Sequence, residues 1–175
     1  MSLLWVLACN GDGFGESTVP AAEYGTLDAD RAWTWREELP ADTGIGLEVD
    51  ESALIHGRWV EGAIELRRGT RWADAATVGS IDLSLPEDGG LVLNGWELDG
   101  GSGGGAMLSL EDPETGLDTP DCSIVTNLQV DTFYGIFQRT LISDCGGKGI
   151  WTFEYGVGLV QVEADGLVLD LVAPY

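Results

Sequence analysis

The single histidine is the first candidate for acid–base chemistry in this 175-residue chain. His56 lies in Leu54-Ile-His-Gly-Arg-Trp59, a stretch that predicts a strand. Nucleophilic catalysis would need a serine raised on a sharp strand-to-helix turn near this histidine, and the sequence predicts no element of that kind. One histidine also excludes a multi-histidine metal site. We therefore interpret His56 as a structural strand residue.

Carboxylates are the most abundant ionisable groups, with 30 Asp and Glu against 8 Lys and Arg. A pair of carboxylates could hydrolyse a glycoside, but so many acids make some close pair inevitable, and the observation carries little information. The densest run is the loop from Glu111 to Asp121, whose oxygen atoms could hold calcium. Because solvated acidic loops are commoner, we predict no metal and no cofactor. The candidate calcium ligands are Glu111, Asp112, Glu114, Asp118 and Asp121.

Two of the three cysteines lie symmetrically about a predicted hairpin turn. Cys122 and Cys145 flank strands expected at 122–131 and 135–144, with Phe133-Tyr134 at the turn. A regular hairpin places such residues opposite each other, with Cα atoms roughly 4.5 to 5.5 Å apart, which a disulfide can span. We predict a Cys122–Cys145 disulfide, with two reduced core thiols as the alternative.

The third cysteine follows a short apolar segment at the start of the chain. Val6-Leu7-Ala8-Cys9 resembles the lipobox of a bacterial lipoprotein signal, in which the cysteine thiol accepts a diacylglyceryl group. We interpret residues 1–8 as a signal-peptide remnant, 9–22 as a flexible tether on a lipid-anchored Cys9, and 23–175 as one all-β domain. The alternative for Cys9 is an ordinary thiol in a buried first strand.

Basic residues are few, and three of them are close together in the sequence. Arg67, Arg68 and Arg71 could meet an anionic partner, but offsetting neighbouring acids is the simpler interpretation. The formal net charge of -22 repels nucleic acid, so we expect no nucleic-acid partner. The 7 tryptophans could line a carbohydrate or lipid groove, yet most fall in alternating strands, where a core position is the default. We expect a monomer.

The elements that must position these residues are strands. In the last part of the chain, Trp151, Phe153 and Tyr155 alternate with polar residues, and Leu167, Leu169 and Leu171 share one face of a further strand. Glycines 156 and 158 predict a turn or bulge between strands, and Asp165-Gly166 predicts a short hairpin. This stretch is therefore a β-meander that closes a sheet.

Earlier segments have the same two-residue period. Trp33 and Trp35 share a face opposite Thr34 and Arg36. The glycine-rich run from Asp99 to Gly105 has no phosphate-loop spacing, and we predict a mobile hairpin loop. The further predicted strands are 45–50, 53–60, 62–68, 77–85, 91–98 and 106–110. No long stretch has a helical period, so the fold class is all-β: a single antiparallel, strongly curved sheet, open or a half-barrel, with a β-sandwich as the alternative.

Three segments together resemble a loosely defined family of uncharacterised bacterial exported lipoproteins. They are Tyr24 to Arg36 with its aromatic-Thr-aromatic-Arg strand, a Thr-x-x-Gly-x-Phe element at Thr132, Gly135 and Phe137, and a Trp-x-Phe-x-x-Gly-Val-Gly-Leu-Val signature from Trp151 to Val160. In that family a proline usually precedes the last Gly-x-Gly, and in this chain Tyr155 occupies its position. The resemblance implies an antiparallel, strongly curved sheet like the half-barrels of lipoprotein carriers, and it assigns no catalytic residue.

These observations lead to one functional expectation and one alternative. We expect a non-catalytic, lipid-anchored protein of the bacterial cell envelope, on the periplasmic or surface side of the outer membrane. Its ligand, apolar, glycan or protein, would bind in the concave face of the sheet. The alternative is a carboxylate-dependent hydrolase acting on envelope glycans. A tryptophan-lined cleft without paired acids would favour binding, and two facing carboxylates would favour hydrolysis.

Overall fold

The structure is a computed structural model that describes residues 19–27, 31–37, 54–87, 89–113 and 117–174. Several sequence-based predictions fall outside these ranges. They are the signal remnant 1–8, Cys9, most of the tether, the strand predicted at 45–50 and Glu114. They stay predictions.

The all-β prediction is confirmed. Within the described ranges, eleven strands form one large antiparallel sheet that curves into a nearly closed barrel, and the alternative β-sandwich does not form. The strands are β1 Ala32–Arg36, β2 Ile55–Val60, β3 Ala63–Arg68, β4 Ala76–Ser84, β5 Leu91–Leu98, β6 Gly101–Ser109, β7 Ser123–Thr126, β8 Val130–Asp131, β9 Ile136–Phe137, β10 Thr140–Asp144, β11 Ile150–Glu154, β12 Gly158–Ala164 and β13 Leu167–Pro174.

The order of strands follows from local pairing with one long-range closure. The large sheet runs β6-β5-β4-β3-β2-β1-β13-β12-β11-β10-β7, so two meanders meet where β1 pairs with β13. Strands β8 and β9 form a separate two-stranded hairpin. The predicted C-terminal meander is confirmed by consecutive antiparallel pairing of β11, β12 and β13. Gly156, Gly158 and Gly166 all have positive φ, as the predicted turns require.

The core fills the inside of the curved sheet. Trp33 and Trp35 point inward, as their alternation predicted, and their rings stack with centroids 5.8 Å apart. Their indole N–H groups donate to the carbonyls of Val157 and Leu159 at 2.8 and 3.3 Å. A Cβ on Gly57 would overlap the Trp35 ring, so glycine is required opposite these tryptophans. Each buried indole therefore has a partner for its polar atom.

The glycine-rich run is a strand and not a mobile loop, which corrects our prediction for Asp99 to Gly105. The chain turns at Asp99-Gly100, both with positive φ, and β6 begins at Gly101. Gly103 lies opposite Trp96 of β5, and the indole covers the position that a Gly103 side chain would occupy. The neighbouring strand thus supplies the apolar surface that the glycines lack.

The β6 edge of the sheet is bordered by side chains from the segment before β7 and from β10. Met107 of edge strand β6 donates its N–H to the carboxylate of Asp121 at 2.8 Å and accepts from the Thr119 hydroxyl at 2.6 Å. The Ser143 hydroxyl donates to the carbonyl of Leu108 at 2.6 Å. These polar groups take the place of a neighbouring strand along this part of the β6 edge.

The predicted disulfide is confirmed, although the hairpin that carries it is interrupted. Cys122 and Cys145 are bonded, with Cα atoms 4.0 Å apart, and β7 pairs with β10 in the register that brings them together. The two predicted strands 122–131 and 135–144 each split into two. On the first of them, Asn127 adopts positive φ and ends β7.

Residues just before the domain boundary that we predicted at residue 23 pack against the barrel. A short helix, α1, spans Ala21–Gly25. Ala21 is fully buried, and its N–H donates to the carbonyl of Glu111 at 2.7 Å. Val19 also packs against the core. The last residues assigned to the tether therefore belong to the folded domain. No helix in the described ranges is long and apolar enough to cross a membrane.

Candidate functional site

A groove on the outer face of β1 and β2 is the candidate site. It has a volume of about 350 Å³ and is open to solvent. Among the described residues its lining combines an arginine, a histidine, a threonine and two tryptophans, and none of them is an acid. The lining residues are Ala32, Trp33, Thr34, His56, Gly57, Arg58 and Trp72. We call it the outer-face groove.

Strand pairing places the polar groups of the groove side by side. Thr34 of β1 lies opposite His56 of β2, and Ala32 lies opposite Arg58. Because Trp33 and Gly57 between them face the core, alternation directs Thr34, His56 and Arg58 outward. The floor of the groove is thus two paired strands, a rigid base for its side chains.

One wall is built by the turn after β3. A 3-10 turn at Trp72–Asp74 folds back over the outer face, and the half-buried Trp72 indole contacts two guanidinium groups. The Arg58 guanidinium lies 4.9 Å from the ring centroid and that of Arg67 lies 4.4 Å from it. Such cation–π contacts hold the indole and the arginines in a fixed arrangement.

His56 is satisfied on both ring nitrogens, as expected of a structural strand histidine. Nε2 lies 2.8 Å from the carbonyl oxygen of Gly69, which accepts and cannot donate. Nδ1 lies 3.0 Å from the Thr34 hydroxyl. In the neutral ring the first contact assigns the proton to Nε2, and Nδ1 then accepts from Thr34.

The predicted basic cluster is divided between ion pairs and the groove. Arg67 pairs with Glu65 at 2.7 Å, and this contact lowers the pKa of the Glu65 carboxyl. Arg68 pairs with Glu37 and with Asp99, and hydrogen bonds to these acids raise its pKa against the opposing effect of burial. These two arginines do offset neighbouring acids. Arg58, which we did not single out from the sequence, is the one that lines the groove.

The candidate calcium ligands that the structure describes do not come together. Within the described residues no group of three acids, histidines or cysteines is placed to hold a metal. The Asp118 carboxylate accepts from the N–H of Ile124 at 3.0 Å, and Asp121 accepts from Met107 and from the Lys148 ammonium. The hydrogen bond from Lys148 is the largest cause of a lowered Asp121 pKa. Asp118 therefore holds its own segment, and Asp121 joins that segment to β6 and to Lys148.

Among the described residues two carboxyl groups are buried, and neither lines the groove. Burial raises the pKa of Asp170 on β13 to about 6, although it accepts from the N–H of Phe133 and the amide of Gln161. Burial likewise raises the pKa of Glu154 on β11, which accepts from the N–H of Arg139 at 3.1 Å. Each acid therefore fixes a loop backbone.

The concave face, where we expected a ligand, is occupied by the core. Its tryptophans and leucines form one continuous buried cluster. Two further grooves lie at the barrel closure. One, of about 400 Å³, borders the disulfide, and the other, of about 170 Å³, lies between β6 and Lys148. The outer-face groove is distinguished from both by the exposed Arg58 guanidinium and its contact with the Trp72 indole.

No known protein family, no characterised protein and no solved structure matches this chain significantly. The resemblance to exported lipoproteins therefore stays a prediction, and the site must be interpreted from its own chemistry.

Proposed function

We propose that this protein is a non-catalytic binding module of the bacterial cell envelope, held at the membrane by a lipid on Cys9, with the outer-face groove as its binding surface. The observation that carries the proposal is the lining of the groove. A tryptophan and an exposed guanidinium stand beside two hydrogen-bonding side chains, and none of the described residues that line the groove is an acid. This composition suits binding, and the described lining does not include the acid pair of a glycosidase.

The disulfide supports the envelope location. Disulfides persist in oxidising compartments such as the periplasm and are rare in the cytosol. The Cys122–Cys145 bridge, together with the lipobox-like Val6-Leu7-Ala8-Cys9, fits an exported protein.

A non-catalytic role is supported by the engagement of the usual catalytic groups. Both ring nitrogens of His56 are hydrogen-bonded, and the Lys148 ammonium is paired with Asp121 at 2.8 Å. Ser102, which has the Gly-x-Ser-x-Gly spacing of a nucleophile elbow, lies inside β6 opposite Glu97 and not on a strand-to-helix turn. General acid–base or nucleophilic catalysis needs such a group positioned toward a substrate.

Membrane anchoring is tested by expressing the chain with a complete signal peptide and fractionating the cells. The mature protein should begin at Cys9 and partition into detergent, because the acyl chains supply the membrane affinity. A Cys9→Ala variant should be released into the soluble fraction. A variant that stays membrane-bound to the same extent would contradict the anchor.

The binding role is tested with oligosaccharides released from bacterial envelopes, observed by ligand-detected NMR. Signals should be attenuated by the wild-type protein and not by Trp72→Ala, which removes an indole from the wall without touching the buried core. Equal attenuation by both proteins, or none, would argue against the groove. New reducing ends that appear with the wild-type protein would favour the hydrolase alternative.

A further inference from the structure

We infer that the ligand of the outer-face groove is a carboxylate-bearing saccharide whose carboxylate binds the Arg58 guanidinium. The inference rests on the proposed function, since it takes the groove to be the binding surface, and it adds the chemical class of the ligand and the residue that selects it.

Arg58 is the charged donor of the groove. The side chain is exposed, and within the described ranges it makes no ion pair. Its cross-strand neighbour is Glu65, but the Glu65 carboxylate already accepts from Arg67 at 2.7 Å and from Thr77 at 3.0 Å. Its guanidinium lies 4.9 Å from the centroid of the Trp72 ring, a cation–π contact that adds no hydrogen-bond acceptor for its N–H groups. A planar oxyanion matches that fork of donors.

The hydroxyl of Thr34, on the floor of the outer-face groove, supplies a hydrogen-bond acceptor. With Nδ1 of His56 as the acceptor of its hydrogen, the oxygen keeps lone pairs that can accept a hydrogen bond. A sugar acid offers the matching groups, namely a carboxylate for Arg58 and hydroxyls for Thr34. An uncharged apolar ligand would leave the guanidinium without a partner, which disfavours that class.

The charge of the protein limits the charge of the ligand. The chain carries a net charge of -22, so an anion approaches against a repulsive field and must be held by short-range contacts. One unpaired guanidinium neutralises one negative charge. A phosphate monoester carries about -1.5 to -2 at pH 7 and would be undercompensated here. A monoanionic carboxylate is the better match.

The size of the groove fits a short saccharide. Its volume of about 350 Å³ lies at the lower end of the roughly 300 to 1,000 Å³ found for small-molecule sites. The groove is open to solvent. It could therefore bind one or two sugar rings while the rest of a longer chain extends into solvent.

The test measures calorimetric binding of trigalacturonic acid and of its methyl ester, which keeps the rings and removes the charge. The wild type should bind the acid about tenfold or more tightly than the ester, as expected for a charge-assisted hydrogen bond. Arg58→Ala should reduce the affinity for the acid to that for the ester. Arg71→Ala removes a neighbouring exposed charge that does not line the groove, and it should change both affinities less than about twofold.

The possible outcomes separate the two proposals. If acid and ester bind equally well to the wild type and to Arg58→Ala, yet Trp72→Ala abolishes binding, the carboxylate inference is wrong and the groove remains the binding surface. If neither probe binds while envelope oligosaccharides do, the carboxylate inference is wrong and the groove remains the binding surface. If no saccharide binds, both proposals fail. Circular dichroism of each variant checks that the fold is unchanged.

Discussion

The N–H of Phe133 donates to the carboxylate of Asp170 at 2.7 Å and attaches the β8–β9 hairpin to the outer face of the barrel. Asp170 lies on β13 between inward-facing leucines, so its side chain points outward, but it is fully buried. The hairpin covers it, with the Arg36 guanidinium 4.1 Å from the Phe133 ring centroid. A position that alternation would leave in solvent therefore holds a buried acid.

Asp170 should make the free energy of unfolding depend on pH. Burial raises its pKa from 3.8 to about 6, against the opposing effects of the Phe133 N–H, Gln161 and Arg36. Between about pH 4 and pH 6 the unfolded chain therefore loses a proton that the folded protein retains, and stability falls as pH rises through this window. Below it, both states are protonated and the penalty disappears.

Asp170→Asn removes the titration and nearly preserves the shape of the side chain. In urea unfolding series from pH 4 to pH 7, the stability of this variant relative to the wild type should rise across the window and then level off. Taking the difference between the two proteins cancels the contributions of the other carboxylates. A difference that is constant with pH would contradict the raised pKa of Asp170.

The disulfide should contribute substantially to the free energy of unfolding, because it links the start of β7 to the end of β10. The double variant Cys122→Ala, Cys145→Ala should lose about 2 to 4 kcal/mol of unfolding free energy. Urea unfolding measures this loss, and the wild type treated with reductant should approach the same midpoint. If reduction leaves the midpoint unchanged, the bridge does not form in solution.

Trp151 should be the residue of β11 that is most costly to truncate. It is fully buried, and its indole N–H donates to the carbonyl of Lys148 at 3.1 Å. Trp151→Ala should lose about 3 to 5 kcal/mol through a cavity and an unsatisfied carbonyl. Ile150 precedes it on the opposite face and is 38% exposed, so Ile150→Ala should cost less than about 1 kcal/mol. Similar losses in both variants would mean that Trp151 is not a core residue in solution.

Alternation along strands made much of the fold predictable. Side chains alternate between the two faces of a strand. The shared face of Trp33 and Trp35, and that of the leucines of β13, therefore identifies the inner surface of the sheet. The Cys122–Cys145 pairing followed from symmetry about a turn, since antiparallel register is set by sequence separation. These are local signals, and a single sequence contains them in full.

The candidate site was not predictable in the same way. Trp72 lies in an irregular turn, and its contact with Arg58 depends on how that turn folds over the sheet. Arg58 falls in an ordinary strand position, so nothing in the sequence separates it from Arg67 and Arg68, which are ion-paired. The burial of Asp170 likewise depends on a hairpin far away in the sequence. Long-range packing determines these features.

The glycine-rich strand gives the sharpest test of such packing. Gly103 and Gly104 are neighbours in β6, and they point to opposite faces of the sheet. A Cβ on Gly103 would overlap the indole of Trp96, whereas a Cβ on Gly104 would have no atom within 4 Å. Gly103→Ala should therefore destabilise the protein by about 1 to 3 kcal/mol, because the indole must move from its packed position.

Gly104→Ala should instead be neutral or stabilising by up to about 1 kcal/mol, because alanine reduces the freedom of the unfolded chain at no steric cost. Urea unfolding of the two variants measures this contrast, and Trp96 can be followed by its fluorescence. If residues 101–105 formed the mobile loop that their composition suggests, both substitutions would have the same small effect. A difference of the predicted sign would establish that Trp96 packs against Gly103 and keeps the glycine-rich segment in the sheet.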